Sequence, residues 1–169
     1  MVRLCCGGGQ LSSILAANYG HLLLNYDNYM IRRPGFLGQD DLTPRSFDFV
    51  LTTSVFEHFT KREHYDFVES LVGPSGVLGL HTLIREDIPN DPQWFYLGPV
   101  VHCSFFTNKS ISIMFDQWGY KASVYNVESR LWLWFKDDST TTKELVEQAN
   151  ARIGGPAYIY KQGFVDYWK

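Results

Sequence analysis

Three consecutive glycines, Gly7-Gly8-Gly9, stand between an apolar run, Val2 to Cys5, and a segment in which Leu11, Ile14, Leu15 and Asn18 recur at helical spacing. Glycines between a strand and a helix let the backbone approach a bound molecule closely. The first helical turn then offers unpaired N–H groups to an anion, either a carboxylate or a phosphate. Asp27 follows about twenty residues past the glycine turn, closing a second apolar run, His21 to Tyr26. A carboxylate placed there, with Asn28 beside it, can accept hydrogen bonds from both hydroxyls of a ribose. Asp and Asn also favour plain turns, which is the alternative for this pair.

The element that must position such a site lies further on. Phe47, Phe49 and Leu51 alternate along a strand that stops in Thr52, Thr53 and Ser54. Thr60 and Glu63 stand at capping-box spacing, and Tyr65, Val68, Leu71 and Val72 follow at helical spacing until Gly73 and Pro74. A second strand, Gly76 to Thr82, completes a βαβ unit, whose strands lie parallel with a right-handed crossover. Ligands of open parallel sheets sit beyond the carboxyl ends of the strands. Thr52, Thr53, Ser54, His81 and Thr82 are therefore expected along one edge of a pocket. His58 can orient a substrate or act as a base, because imidazole titrates near neutral pH. The other role for Glu57 and His58 is local hydrogen bonding that holds the loop.

Composition narrows the classes. The chain has 169 residues, 45% of them hydrophobic and 20% charged, which suits a folded domain rather than a disordered one. A net charge of −3 without a dense basic stripe leaves no footprint for nucleic acid. No run approaches the roughly 20 apolar residues that span a bilayer, and no secretory leader is visible, so a cytoplasmic protein is expected. The cysteines are Cys5, Cys6 and Cys103, an odd number without CxxC spacing, which predicts reduced thiols and no metal site. A nicotinamide-dependent oxidoreductase would share the glycine turn and Asp27, but Gly7-Gly8-Gly9-Gln10-Leu11-Ser12 lacks the third glycine of GxGxxG.

The central block, with its FDFV strand, small polar turn, Glu57-His58-Phe59, helix, GPSG and strand ending in His81-Thr82, resembles class I S-adenosylmethionine-dependent methyltransferases of the small-molecule type. The resemblance implies an α/β fold: a Rossmann-like, mostly parallel sheet flanked by helices, with an antiparallel final strand pair. It implies S-adenosyl-L-methionine as cofactor and a small-molecule or glycan acceptor. Cys6, Gly7 and Gly9 match the family's GCGxG turn, whereas Cys5 stands where a glycine is usual and Arg3 where an acid is usual. The resemblance extends the cofactor set to Cys6, Gly7, Gly8, Gly9, Asp27, Asn28 and Thr53. It adds Asp40 or Asp41 as the acid that meets the adenine amine. It also implies that the helices preceding the first strand in the family are missing, which leaves a catalytically degenerate binding or scaffold module as the alternative function.

Between Thr82 and Asn108 a long irregular segment carries Trp94, Phe95, Tyr96, Phe105 and Phe106. Long loops at this edge of a sheet are usually functional, so it is expected to be a substrate-facing lid, with Tyr96 and His102 nearest the acceptor. Aromatic packing over the sheet edge is the alternative. If a base is required, His102 or His58 supplies it. Asn108 is expected to cap a helix ending at Gly119, and strands Lys121 to Val127 and Leu131 to Phe135 close the sheet. Residues 1–136 thus form the methyltransferase-like domain. Residues 137–169 form a helix, Thr140 to Ile153, and an aromatic tail suited to covering a sheet edge or a partner, a homodimer included.

Overall fold

The computed structural model describes residues 1–31, 33–137 and 140–167. Its strands are β1 (Val2–Leu4), β2 (Leu24–Tyr26), β3 (Phe47–Thr53), β4 (Val72–His81), β5 (Ala122–Asn126), β6 (Leu131–Phe135) and β7 (Tyr158–Gln162). Its helices are α1 (Gln10–Tyr19), α2 (Arg62–Ser70), α3 (Asn108–Gln117) and α4 (Thr140–Ile153). The strands form one sheet in the order β2-β1-β3-β4-β6-β5-β7. The first four are parallel, β6 slots antiparallel between β4 and β5, and β7 pairs antiparallel with the outer side of β5. The expected Rossmann-like sheet with an antiparallel end is therefore present. A stub of a further strand, Phe36, bridges Asn25 in parallel beyond β2.

Side-chain alternation explains the layers. Val2, Leu4, Val50, Leu78 and Leu80 point to the face covered by Tyr65 and Val68 of α2, by Leu71 just after it, and by Ile111, Met114 and Phe115 of α3. Trp134 from β6 meets Phe115 edge-on at 5.3 Å between ring centroids. The opposite face is thinly covered: Ser12 is the one buried residue of α1, where its hydroxyl donates to Asn25 Oδ1 at 2.5 Å. Consecutive right-handed crossovers that move in opposite directions from β1 place α1 and α2 on opposite faces.

Several local expectations are corrected. Thr60 does not cap α2: Lys61 holds the cap position without a side-chain bond, because the chain stays extended through it and Glu63 falls within the first turn. Thr107, not Asn108, caps α3, with Thr107 Oγ1 accepting from Ser110 N at 3.1 Å and Ser110 Oγ accepting from Thr107 N at 2.9 Å. Asn108 instead accepts from Tyr167 N and anchors the tail. The second strand starts only at Leu24, leaving His21 and Leu22 exposed. The tail packs on this same sheet: β7 covers the edge, and Phe164, Val165 and Tyr167 are buried in the core. Among the described residues no helix is long and apolar enough to cross a membrane.

Candidate functional site

The turn after β1 is built from left-handed backbone. Cys5, Gly7 and Gly9 have φ of 48°, 53° and 70°. A side chain at Gly9 would also approach Asn25 Nδ2 to 3.0 Å and the Phe36 ring to 3.2 Å, so only glycine fits there. Gly9 N–H donates to Cys6 O at 3.1 Å, and Gly7 N–H donates to Asp27 Oδ2 at 2.8 Å. Asp27 Oδ1 accepts from Tyr29 N at 3.0 Å. Asp27 therefore makes the local turn and also clamps the glycine loop. Each carboxylate oxygen still has a lone pair for a further donor. Arg33 donates to Gly8 O from outside and lies over the Phe36 ring.

The thiols beside this loop are poor nucleophiles. Burial of its sulfur, then the Asp27 charge, pushes Cys5 up to about 11, although much of the residue surface is exposed. Cys6 is raised for the same two reasons. Both stay protonated at neutral pH, which argues against thiolate chemistry here.

Beyond the carboxyl ends of β1, β2 and β3 opens a cavity of about 500 Å³. Gly7, Asp27 and Asn28 form one wall, Ser54 and His58 another, and Leu4, Tyr26 and Val68 give an apolar floor. The cavity's size falls within the range of roughly 300–1,000 Å³ of small-ligand sites.

Of the residues expected from sequence, Gly7, Asp27, Asn28 and His58 meet in this cavity, while Cys6, Gly8 and Gly9 shape its loop. Asp40 and Asp41 do not line it: both are exposed, and Asp41 Oδ2 accepts from Gly38 N at 2.6 Å. The expected edge is also rearranged. Thr52 and Thr82 are fully buried, and Ser54, with φ 54°, reaches the cavity. Thr53 and His81 line a shallow depression on the α1 side, where Arg3 Nη2 donates to Thr53 Oγ1 at 2.8 Å. Strand alternation is the reason, because neighbours in sequence face opposite sides of the sheet. Tyr26, Tyr29 and His64 line the cavity without having been expected there; Tyr26 could have been found from its position as the last strand residue before Asp27.

Tyr96 and His102 stand behind His58 rather than in the cavity wall. The His58 and His102 rings are 5.2 Å apart and the His102 and Tyr96 rings 4.4 Å apart. Tyr96 is buried against Trp94 and Phe105, so the aromatic packing considered for this segment is present around Tyr96, while Phe95, Val100 and Val101 are exposed. Burial, with the nearby Glu57 charge, pushes the Tyr96 phenol up to about 12. The residue that organises this region is Glu57. Its backbone carbonyl accepts from Cys103 N at 2.9 Å and Ser104 N at 3.0 Å, and its buried carboxylate accepts from Thr82 Oγ1 at 3.0 Å. The holding role considered for Glu57 is thus present, and it docks the segment carrying His102 against His58.

No protein-family model matches the sequence, and no curated protein matches it. Solved structures do match in fold. A structure of the complex between the Haloferax volcanii Trm112 methyltransferase activator and a methyltransferase aligns with a TM-score of 0.55 at 15% identity, over 72% of this chain and 61% of that one. A SAM-dependent methyltransferase from Archaeoglobus fulgidus aligns with a TM-score of 0.53 at 12% identity, over 94% and 82%. Haemonchus contortus phosphoethanolamine N-methyltransferase 2, solved with phosphomonomethylethanolamine and S-adenosylhomocysteine, aligns at 0.54 and 14% identity, over 90% and 40%. This chain therefore has the class I fold of SAM-dependent methyltransferases. It spans 61% of the first of these chains and 40% of the third.

Proposed function

We propose that the chain is an S-adenosylmethionine-dependent methyltransferase acting on a small-molecule or glycan acceptor. The observation that carries this is the hydrogen bond from Gly7 N to Asp27 Oδ2 at the wall of the cavity, which holds a ribose-type acceptor and an amide-rich loop side by side. The residues present fit the cofactor. Asp27 and Asn28 would take its ribose hydroxyls, and Gly8 N–H, which has no acceptor among the described residues, is available beside the first amides of α1. The apolar floor of Leu4, Tyr26 and Val68 suits the face of an adenine ring. When bound, the cofactor supplies an electrophilic methyl group on a sulfonium.

The chain's own contribution is then orientation, exclusion of water and, for a hydroxyl or ammonium acceptor, removal of a proton. His58, in the cavity wall with His102 behind it, is the side chain proposed to accept one. Three unpaired cysteines suit a reducing, cytoplasmic setting. The second function, a binding module without catalysis, is favoured by Arg3, whose guanidinium is tied to Thr53 on the far face and brings no acid to the end of β1. Isothermal calorimetry with S-adenosylmethionine and S-adenosylhomocysteine tests the proposal. Binding of one molecule per chain by both supports it, and no saturable heat with either removes it. Methyl transfer to a panel of small acceptors then separates enzyme from module.

A further inference from the structure

We propose that Glu57, His58 and His102 form a binding site for one divalent transition-metal ion behind the cavity wall. The ligand atoms of the three side chains lie within 4.8 Å of one another. In a tetrahedral set at about 2.0–2.2 Å from one ion, ligand atoms stand about 3.3–3.6 Å apart. Side-chain rotations that move ligand atoms by about 1–1.5 Å therefore close the set, and His58 is exposed enough to make one.

Four further observations point to a cation. The Glu57 carboxylate is buried, at 1% exposure, and among the described residues it pairs with no Lys, Arg or His. A buried charge without a counter-charge is costly, and a divalent ion is the compensation that this geometry admits. His102 is also already oriented. Its Nδ1 lies 2.8 Å from the carbonyl oxygen of Tyr96, which can only accept, so Nδ1 carries the proton and Nε2 keeps its lone pair for a metal. The carboxylate in turn receives the Thr82 hydroxyl at 3.0 Å, the outer hydrogen bond that steadies a ligating carboxylate. Finally, the two segments are locked together by the bonds from Cys103 N and Ser104 N to Glu57 O, so His102 is held beside His58 by backbone rather than by chance side-chain contact.

Two imidazoles and a carboxylate suit Zn(II), Co(II), Fe(II) or Mn(II), and three protein ligands leave positions open for water or an oxygen-bearing molecule. Because His58 also lines the cavity, the site adjoins the place where an acceptor would stand. The metal site itself does not depend on the methyl-transfer proposal.

The test is a titration of chelator-treated full-length protein with Co(II), followed by its visible ligand-field absorption and by calorimetry without cofactor. One ion per chain is expected. His58→Ala, His102→Ala and Glu57→Gln should each weaken binding at least tenfold, with His21→Ala, on the exposed segment before β2, binding as wild type. His58 is exposed, so its variant keeps the test decisive even if Glu57→Gln does not fold. The absence of saturable binding would overturn the site. So would His58→Ala and His102→Ala proteins that bind as wild type, or thiolate-to-cobalt absorption that disappears in Cys5→Ser/Cys6→Ser. Failure here leaves S-adenosylmethionine binding, measured separately, untouched.

Discussion

Gly7 donates its amide proton to Oδ2 of Asp27 at 2.8 Å, across the twenty residues that separate the ends of β1 and β2. One carboxylate thereby fixes the shape of the loop and, on the proposed function, binds the ribose. The two roles separate by substitution. Asp27→Asn keeps an oxygen for Gly7 N–H and is expected to fold with a small loss of stability, while S-adenosylmethionine affinity falls at least tenfold. Asp27→Ala loses two charge-assisted acceptors and should cost about 1.5–3 kcal/mol as well. Urea denaturation paired with calorimetry distinguishes the two.

Cys5 adopts φ 48°, a left-handed conformation that suits glycine. Relieving it should stabilise the chain. Cys5→Gly is expected to gain up to about 1 kcal/mol, since the left-handed penalty of about 1–2 kcal/mol is partly offset by the greater freedom of an unfolded glycine. A raised denaturation midpoint with an unchanged slope is the readout; a lowered midpoint would mean that the Cys5 side chain contributes packing greater than its strain.

These two positions also show what the sequence made legible. The glycine turn and the acid after β2 follow from spacing and turn chemistry, both local properties, and lie where they were expected; the βαβ block also forms, but α2 stops at Ser70 and β4 begins at Val72, so Val72, Gly73 and Pro74 belong to the strand and not to the end of the helix. Asp40 and Asp41 were placed by the family resemblance, and Thr53 and His81 by their position at the carboxyl ends of strands. Which side of the sheet each side chain faces depends on strand register, and that put Thr53 and His81 on the α1 side. Glu57 was visible only as a local loop-holder, because its partners Thr82, Cys103 and Ser104 are 25 or more residues away. The edge strand β7 was foreseen only as an aromatic tail, since five residues carry little periodic signal.

Trp132 and Trp134 are both fully buried, yet they differ in one bond. Trp132 Nε1–H donates to Val165 O at 2.7 Å, whereas Trp134 Nε1 has no partner among the described residues. Trp132→Phe should therefore destabilise by about 1 kcal/mol more than Trp134→Phe, because it strands the Val165 carbonyl as well as opening space. Chemical denaturation of the two variants measures the difference.

His81 supplies a pH test. Burial, opposed by the Glu57 charge and aided by Arg130, lowers its pKa below the ordinary 6.5. The folded state then binds the proton less readily than the unfolded chain. Its stability is intact above about pH 6.5 and falls as the pH drops from there toward the folded value. His81→Gln should show a shallower loss of stability over that interval than wild type. Equal slopes in urea titrations at several pH values would contradict the assignment.

The most direct measurement is an NMR titration of isotope-labelled protein with S-adenosylmethionine. The account expects the amide signals of Gly7, Gly8, Asp27, Asn28 and Ser54 to shift together and saturate at one molecule per chain. Shifts confined to Thr53, His81 and Leu131 on the other face of the sheet, or none at saturating cofactor, would contradict it.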